Sequence, residues 1–316
     1  MNMPSNRTRR EGRLALVLLL VVAPAVIAGA CAPARQWPEA SERYRQLRGS
    51  LAGAETTFVG TRGRYTHYRV ALQSTSGLHA TGQLLVPPGG GPFPAILLNA
   101  GREANSDALY SLPADFGDVV VLSLDYPETF PYAIGLRRIL FGAGPIRTAA
   151  DTVPAAFSLG GAWLVRRDDV DSSRTGIVGS SFAVPFVTIA AALDERFRNV
   201  GLIYGAGDMP RVVAANLKIR PRFLRGALAR LAMRPFADLE PTLHVHRIAP
   251  RPLVMVNGID DPQMPVRAVQ ALHDAAREPK LLIWLRTGHL MPDDAELIEE
   301  LVDTAFARMP VLSGGG

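Results

Sequence analysis

One cysteine, Cys31, stands among 316 residues. A single thiol excludes an intramolecular disulfide and any metal site built from clustered cysteines. Charge is also scarce: charged residues make up 20% of the chain and the net charge is +5. Arg7, Arg9, Arg10 and Arg13 face only Glu11 within the first thirty residues, so +3 of that excess sits there and +2 is left for the rest. So weak a field, with no zinc-finger or other nucleic-acid pattern, excludes nucleic acid as a partner. There is no internal repeat and no low-complexity tract beyond Gly314–Gly316. What is plentiful is apolar residues, 48% of the chain, which excludes disorder and supplies the core of one large domain.

The apolar residues begin with a run from Leu14 to Ala30 that follows the arginine-rich stretch and ends in small residues. It is short for a membrane span and carries Pro24, so residues 1–30 read as an export signal. Ala28-Gly29-Ala30-Cys31 resembles a bacterial lipoprotein signal, with Ala28 where leucine is usual. The resemblance implies cleavage before Cys31, lipid attachment on that residue, and a membrane-anchored chain at the periplasmic or extracellular face of a bacterial envelope. An uncleaved N-terminal anchor and simple secretion are the alternatives. Arg9-Arg10 hints at twin-arginine export, but the residues after it match that route poorly.

Residues 31–54, with Pro33, Pro38 and several charges, read as a tether with a short helix. From 55 to 312 the pattern alternates between strands and helices. Thr56–Ser74 reads as a strand, paired antiparallel with Leu78–Val86 through Ser76-Gly77. Continuous apolar runs follow at Ala95–Leu98, Val119–Leu124, Thr175–Val178, Val200–Tyr204, Leu253–Val256 and Leu281–Leu285. Such runs suit strands covered on both faces. Helical stretches at Thr148–Arg166, Ala183–Arg196, Val266–Arg277 and Asp293–Arg308 separate them, which predicts an α/β fold with a mostly parallel sheet and helices on both sides. Met209–Ile248 is longer than a simple crossover. It interleaves Arg211, Lys218, Arg220, Arg222, Arg225, Arg230 and Arg234 with Phe223, Leu224, Leu228 and Leu231, and reads as an inserted helical cap.

The strongest local signal is Gly176-Ile177-Val178-Gly179-Ser180-Ser181-Phe182-Ala183. Gly179, Ser181 and Ala183 form a G-x-S-x-A version of the turn that lifts a serine hydroxyl above a sheet edge. Small residues two before and two after the serine let the backbone close that turn. Ser180 is the competing serine, but Val178 two before it suits the turn poorly.

A serine nucleophile needs a base. His67 and His79 fall on the leading strands, and His273 falls within a helix. His244 and His246 could offer one metal two ligands, but no third is near, so no metal site is expected. His289, in Thr287-Gly288-His289-Leu290, directly follows the last strand, which puts an imidazole at the same sheet edge as Ser181. A carboxylate should orient that imidazole, and Asp260, Asp261 and Asp208 are the candidates. The order Ser181, Asp261, His289 is the one expected of such a sheet. The oxyanion of an acyl-transfer intermediate needs two backbone donors. Phe182 is one, and the loop Asn99-Ala100-Gly101-Arg102 after the strand Ala95–Leu98 supplies the other at Gly101. Asn99 and Arg102 are expected to bind substrate, with a surface salt bridge the alternative for Arg102.

The chain resembles the α/β-hydrolase superfamily, nearest its dienelactone-hydrolase and acyl-esterase-like branches. The matching residues are Pro94–Gly101, the serine turn, Ile248–Leu253, Gly258-x-x-Asp261-Pro262-x-x-Pro265 and Gly288-His289. They lie within about Thr56 to Met309. The resemblance maps the acid to Asp261 and implies a serine hydrolase of carboxylic esters or related acyl bonds that uses no cofactor and acts on a small acyl substrate. Amidase or peptidase, thioesterase, and a non-catalytic binding protein on the same scaffold are the alternatives. Asn99-Ala100 stands where these families usually carry His-Gly, and the cysteine nucleophile of dienelactone hydrolases proper is missing. Oligomeric state is left open.

Overall fold

The computed structural model describes residues 37–127, 143–220, 222, 224–291 and 293–309. The apolar run Leu14–Ala30, Cys31 and Phe223 lie outside the described residues. Among those described, no helix is long and apolar enough to cross a membrane.

Among the described residues, nine strands form one sheet: β1 (Leu51–Arg62), β2 (Tyr65–Ser74), β3 (His79–Val86), β4 (Phe93–Asn99), β5 (Val120–Leu124), β6 (Val170–Ser180), β7 (Asn199–Ile203), β8 (Leu253–Gly258) and β9 (Lys280–Leu285). Their order is β1-β2-β3-β5-β4-β6-β7-β8-β9. The first three are antiparallel to their neighbours, and β4 through β9 run parallel to one another. Seven helices accompany them among the described residues: α1 (Trp37–Arg48), α2 (Ala143–Leu164), α3 (Val184–Leu193), α4 (Met209–Asn216), α5 (Leu224–Met233), α6 (Val266–Ala275) and α7 (Ala295–Arg308).

The continuous apolar runs become strands buried along their whole length, as β5, β7 and β8 are. One face packs against α2, α3 and α6, with Leu97, Leu122, Phe157, Ile189 and Leu272 in its core. The other packs against α7 through Val178, Val256, Leu301 and Ala305. Helix α3, VPFVTIAAAL, is apolar all round because the sheet and its neighbouring helices enclose it.

Two sequence expectations need correction. Thr56–Ser74 is two strands: Gly63, at φ +56, turns the chain, and a Cβ there would lie 2.7 Å from the Ala114 carbonyl oxygen. β1 extends from Leu51 and pairs antiparallel with β2. Of the expected tether, residues 37–54 belong to the domain. Tyr44 and Ala40 of α1 are buried, Arg43 reaches Asp151 of α2 at 2.7 Å, and Leu51–Ala54 lie in β1.

The segment between β7 and β8 carries α4, α5 and several short 3-10 turns, the helical insertion expected there. Glu240 at its far end closes it. Its carboxylate accepts hydrogen bonds from the backbone N–H groups of Asp208 (2.9 Å) and Met209 (2.7 Å), where the insertion begins. Those are donors that a helix start leaves without partners. Arg147 of α2 holds the exit as well, bonding the Pro235 carbonyl and the Asp238 carboxylate.

Candidate active site

Strand β6 ends at Ser180 in an extended conformation (φ −113°, ψ 137°), and the next residue, Ser181, turns to φ +50°. A side chain occupies that left-handed region at a cost, and such outliers gather at functional sites. The turn closes because Gly179 has no side chain: a Cβ there would lie 2.7 Å from Val187 Cγ2 of α3. Ala183, two residues after the serine, is fully buried. Ser181 therefore stands half-buried above the sheet edge, while Ser180 remains part of the strand.

His289 reaches this serine from the loop after β9. Its Nε2 lies 3.3 Å from Ser181 Oγ, and its Nδ1 lies 2.6 Å from Asp261 Oδ2. A carboxylate oxygen accepts, so Nδ1 carries the proton and Nε2 is left to accept from the serine hydroxyl. The serine contact is long, as in sites that tighten on binding substrate.

Of the three candidate aspartates, Asp261 is the one placed against His289. Asp261 is buried, and its other oxygen accepts from the N–H groups of Gln263 (2.7 Å) and Met264 (3.2 Å), which fixes the carboxylate's plane. Asp260 is exposed, and its N–H donates to the Thr287 carbonyl at 3.2 Å. Asp208 pairs with Arg211 at 2.7 Å. The Asp261 and His289 loops are stitched together, since Ile259 N–H also donates to the Leu285 carbonyl at 2.9 Å. Gly258 permits that approach: a Cβ there would lie 2.5 Å from the Thr287 oxygen and 2.7 Å from the Gly288 oxygen.

Tyr204, at the end of β7, is a contributor that the sequence reading missed. Its backbone also sits at φ +50°, and its ring meets His289 edge-on at 5.7 Å. Its hydroxyl bonds Thr287 Oγ1 at 2.5 Å, and burial pushes the phenol's pKa up. The only sequence signal was an aromatic residue closing a buried strand at the same edge as the serine.

Two cavities meet at Ser181, Phe182 and Gln263, one of about 500 Å³ and one of about 480 Å³. The first lies against the loop after β4 and α7, with Leu98, Ile203, Leu290 and Leu301 in its wall. The second lies beneath the insertion, with Phe186, Met209, Val212 and Phe236. Gly101, Arg102 and Phe182 line the first cavity beside Ser181 and His289. Asn99 does not, and its expected part in substrate binding is corrected. It is fully buried, and its amide donates to the Leu124 carbonyl (2.7 Å) and accepts from the Leu124 N–H (3.2 Å), clasping β4 to β5. The adjoining loop is held by Tyr126, whose hydroxyl donates to the Ala100 carbonyl at 2.7 Å.

The remaining histidines stand apart. His67 bonds Gln83 at 2.8 Å, and His244 is buried with Nε2 donating to the Asp238 carbonyl at 2.6 Å. Among the described residues, no group of three His, Cys, Asp or Glu side chains is placed to hold a metal ion.

No family model matches the sequence, and no curated protein matches it either. Solved structures do. An acetyl xylan esterase from Paenibacillus sp. R4 matches at 18% identity with a TM-score of 0.62, covering 85% of this chain and 92% of that one. Acetyl xylan esterase 1 from Thermoanaerobacterium sp. matches at 18% identity and a TM-score of 0.59, covering 84% and 92%. An alpha/beta hydrolase from Penicillium sp. matches at 18% identity and a TM-score of 0.53, covering 77% and 99%. Strand order, doubly covered sheet and these likenesses together establish that the chain has the α/β-hydrolase fold.

Proposed function

We propose that this chain is a serine hydrolase that cleaves a carboxylic ester or a related acyl bond. The observation that carries the reading is the relay from Asp261 Oδ2 through His289 to Ser181 Oγ, ending on a serine held at φ +50° where two apolar cavities join. Support also comes from the structural neighbours named as esterases.

In this reading Nε2 of His289 takes the hydroxyl proton as Ser181 Oγ attacks the substrate's carbonyl carbon. The carbonyl's electron pair moves onto oxygen, where the N–H groups of Phe182 and Gly101 receive the charge. Asp261 holds the imidazole's tautomer and stabilises the imidazolium. Collapse breaks the bond to the alcohol, which leaves with the proton from Nε2, and the acyl group stays on Ser181. Water then repeats the sequence, returning the acid and the free serine. These steps call on no metal or organic cofactor.

A fluorophosphonate probe should label the protein covalently, and Ser181→Ala should abolish the labelling together with ester turnover. Labelling that survives the substitution removes Ser181 from this role. We also propose that the chain is exported and anchored through lipid on Cys31, on the strength of the order of residues 7–31. Cells fed a labelled fatty acid should label the wild-type chain and not Cys31→Ser; label retained by the variant overturns the anchor.

A further inference from the structure

We propose that the substrate arm lying beneath the insertion ends in an anionic group, received at a basic mouth made by Lys218, Arg220 and Arg225. The inference rests on the hydrolase reading and specifies its substrate.

The cavity beneath the insertion does not stop at its apolar wall. Asn216, Leu217 and Gln263 line it and also line an open hollow of about 530 Å³ whose remaining wall includes Lys218, Arg220, Arg225 and Pro262. Ser181 lines the cavity beneath the insertion, and Gln263 lines that cavity, the first cavity and this mouth, so the three spaces adjoin along one wall. The route changes from apolar beneath α4 to cationic at the opening. An ester with an aliphatic arm and a charged end matches that order of surfaces.

The charge is unbalanced locally. Residues 209–237 hold Arg211, Lys218, Arg220, Arg222, Arg225, Arg230 and Arg234 and no carboxylate. Arg211 is paired with Asp208, but among the described residues no carboxylate stands within 4.0 Å of Lys218, Arg220 or Arg225. The hollow is also built rather than draped. Asn216 donates from Nδ2 to the Val212 carbonyl (2.8 Å) and across to the Gln263 carbonyl (3.0 Å), tying the end of α4 to the Asp261 loop. Arg225 Nε is fixed on the Ile219 carbonyl at 2.9 Å. A concave site adjoining the serine's cavity fits a group carried on the substrate better than a flat bilayer.

Paired esters test this. One series is 4-nitrophenyl esters of dicarboxylic acids from hexanedioic to dodecanedioic, each beside the same ester with its free carboxyl methylated. A second places the carboxylate, or its methyl ester, on the alcohol arm. At a chain length that spans the cavity, kcat/KM for the carboxylate should exceed that for its neutral twin by about fivefold at low salt, the size of one favourable charge contact. The preference should shrink as salt screens it. In Lys218→Glu/Arg220→Glu the ratio should fall to one or below. Equal ratios at every length in both series overturn the inference, as does a preference that the double variant keeps. Loss of binding to anionic phosphatidylglycerol vesicles in the variant, without an ester preference in the wild type, overturns it in favour of a lipid surface. Fluorophosphonate labelling separates the two levels. A labelled enzyme without charge preference refutes the mouth alone, whereas an unlabelled enzyme inactive on every ester refutes the hydrolase reading with it.

Discussion

The rim around Ser181 and the insertion between β7 and β8 border the same cavities but are held in different ways. At the rim, backbone turns and hydrogen bonds between loops hold the Asp261–His289 pair beside the serine. Ser181 and Tyr204 sit at φ +50°, Asp261 accepts three hydrogen bonds, and the loops after β8 and β9 are bonded to each other. The insertion is pinned at its ends by Glu240 and Arg147, and between them it presents exposed cations. On the proposed hydrolase reading, chemistry and selection fall to separate parts: a small displacement at the rim should cost rate, whereas a change in the insertion should alter which substrate is held.

That division can be broken by substitution. The largest effect is expected at Ser181→Ala or His289→Ala, each lowering kcat on a neutral ester by about ten-thousandfold or more. Asp261→Asn should follow, at about a thousandfold or more because the tautomer is lost, while Asp260→Asn should stay within about twofold. Similar losses for the two aspartate variants would deny Asp261 its place. Gly258→Ala comes next. Its methyl must displace the Thr287 and Gly288 carbonyls, so we expect about 1–3 kcal/mol of destabilisation in denaturant melts and a fall in kcat. Normal stability and rate would show that the two loops need not approach so closely.

Within the insertion, Glu240→Ala should cost about 1–2 kcal/mol, since it removes the cap on α4. Hydrogen exchange should rise over 209–243, with KM affected more than kcat. A fall in kcat alone would mean that the insertion takes part in the chemistry and would end the distinction. The smallest effect is in pH. Burial holds the His244 imidazole's pKa below its ordinary value, so as pH falls the unfolded chain takes up a proton before the folded one. Stability should be full above about pH 6.5, the ordinary histidine value, and decline below it toward the lowered folded value. Thermal melts of His244→Asn should show a shallower acid decline; an equal decline would place the sensitivity elsewhere, as at His246 and His273, which are also lowered by burial.

Much of the parallel core was legible because strands buried on both faces have to be continuously apolar, and Ala95–Leu98 and Val200–Tyr204 read that way within a residue or two of β4 and β7. The leading hairpin was not. Thr61-Arg62-Gly63-Arg64-Tyr65 changes direction with one glycine and no break in strand-forming residues. Ser181 and His289 were readable from their place after strands. Asp261 was separated from Asp260 by the family resemblance and not by residue type, because which of two adjacent carboxylates turns inward depends on the N–H groups of Gln263 and Met264. Asn99 misled for a related reason: an amide at a strand end can face a ligand or its neighbour strand, and here it takes the backbone of Leu124. The junction at Gln263 has no sequence signature, since three surfaces converge on it only after folding.

The proposed hydrolase stands or falls on acyl transfer through the hydroxyl of Ser181 rather than that of its neighbour Ser180. An acid-quenched reaction with a 4-nitrophenyl ester, digested and sequenced by tandem mass spectrometry, reads this directly. The acyl mass is expected on Ser181 and absent from the Ser181→Ala protein. An adduct on Ser180, or turnover with no acylated serine, would contradict it.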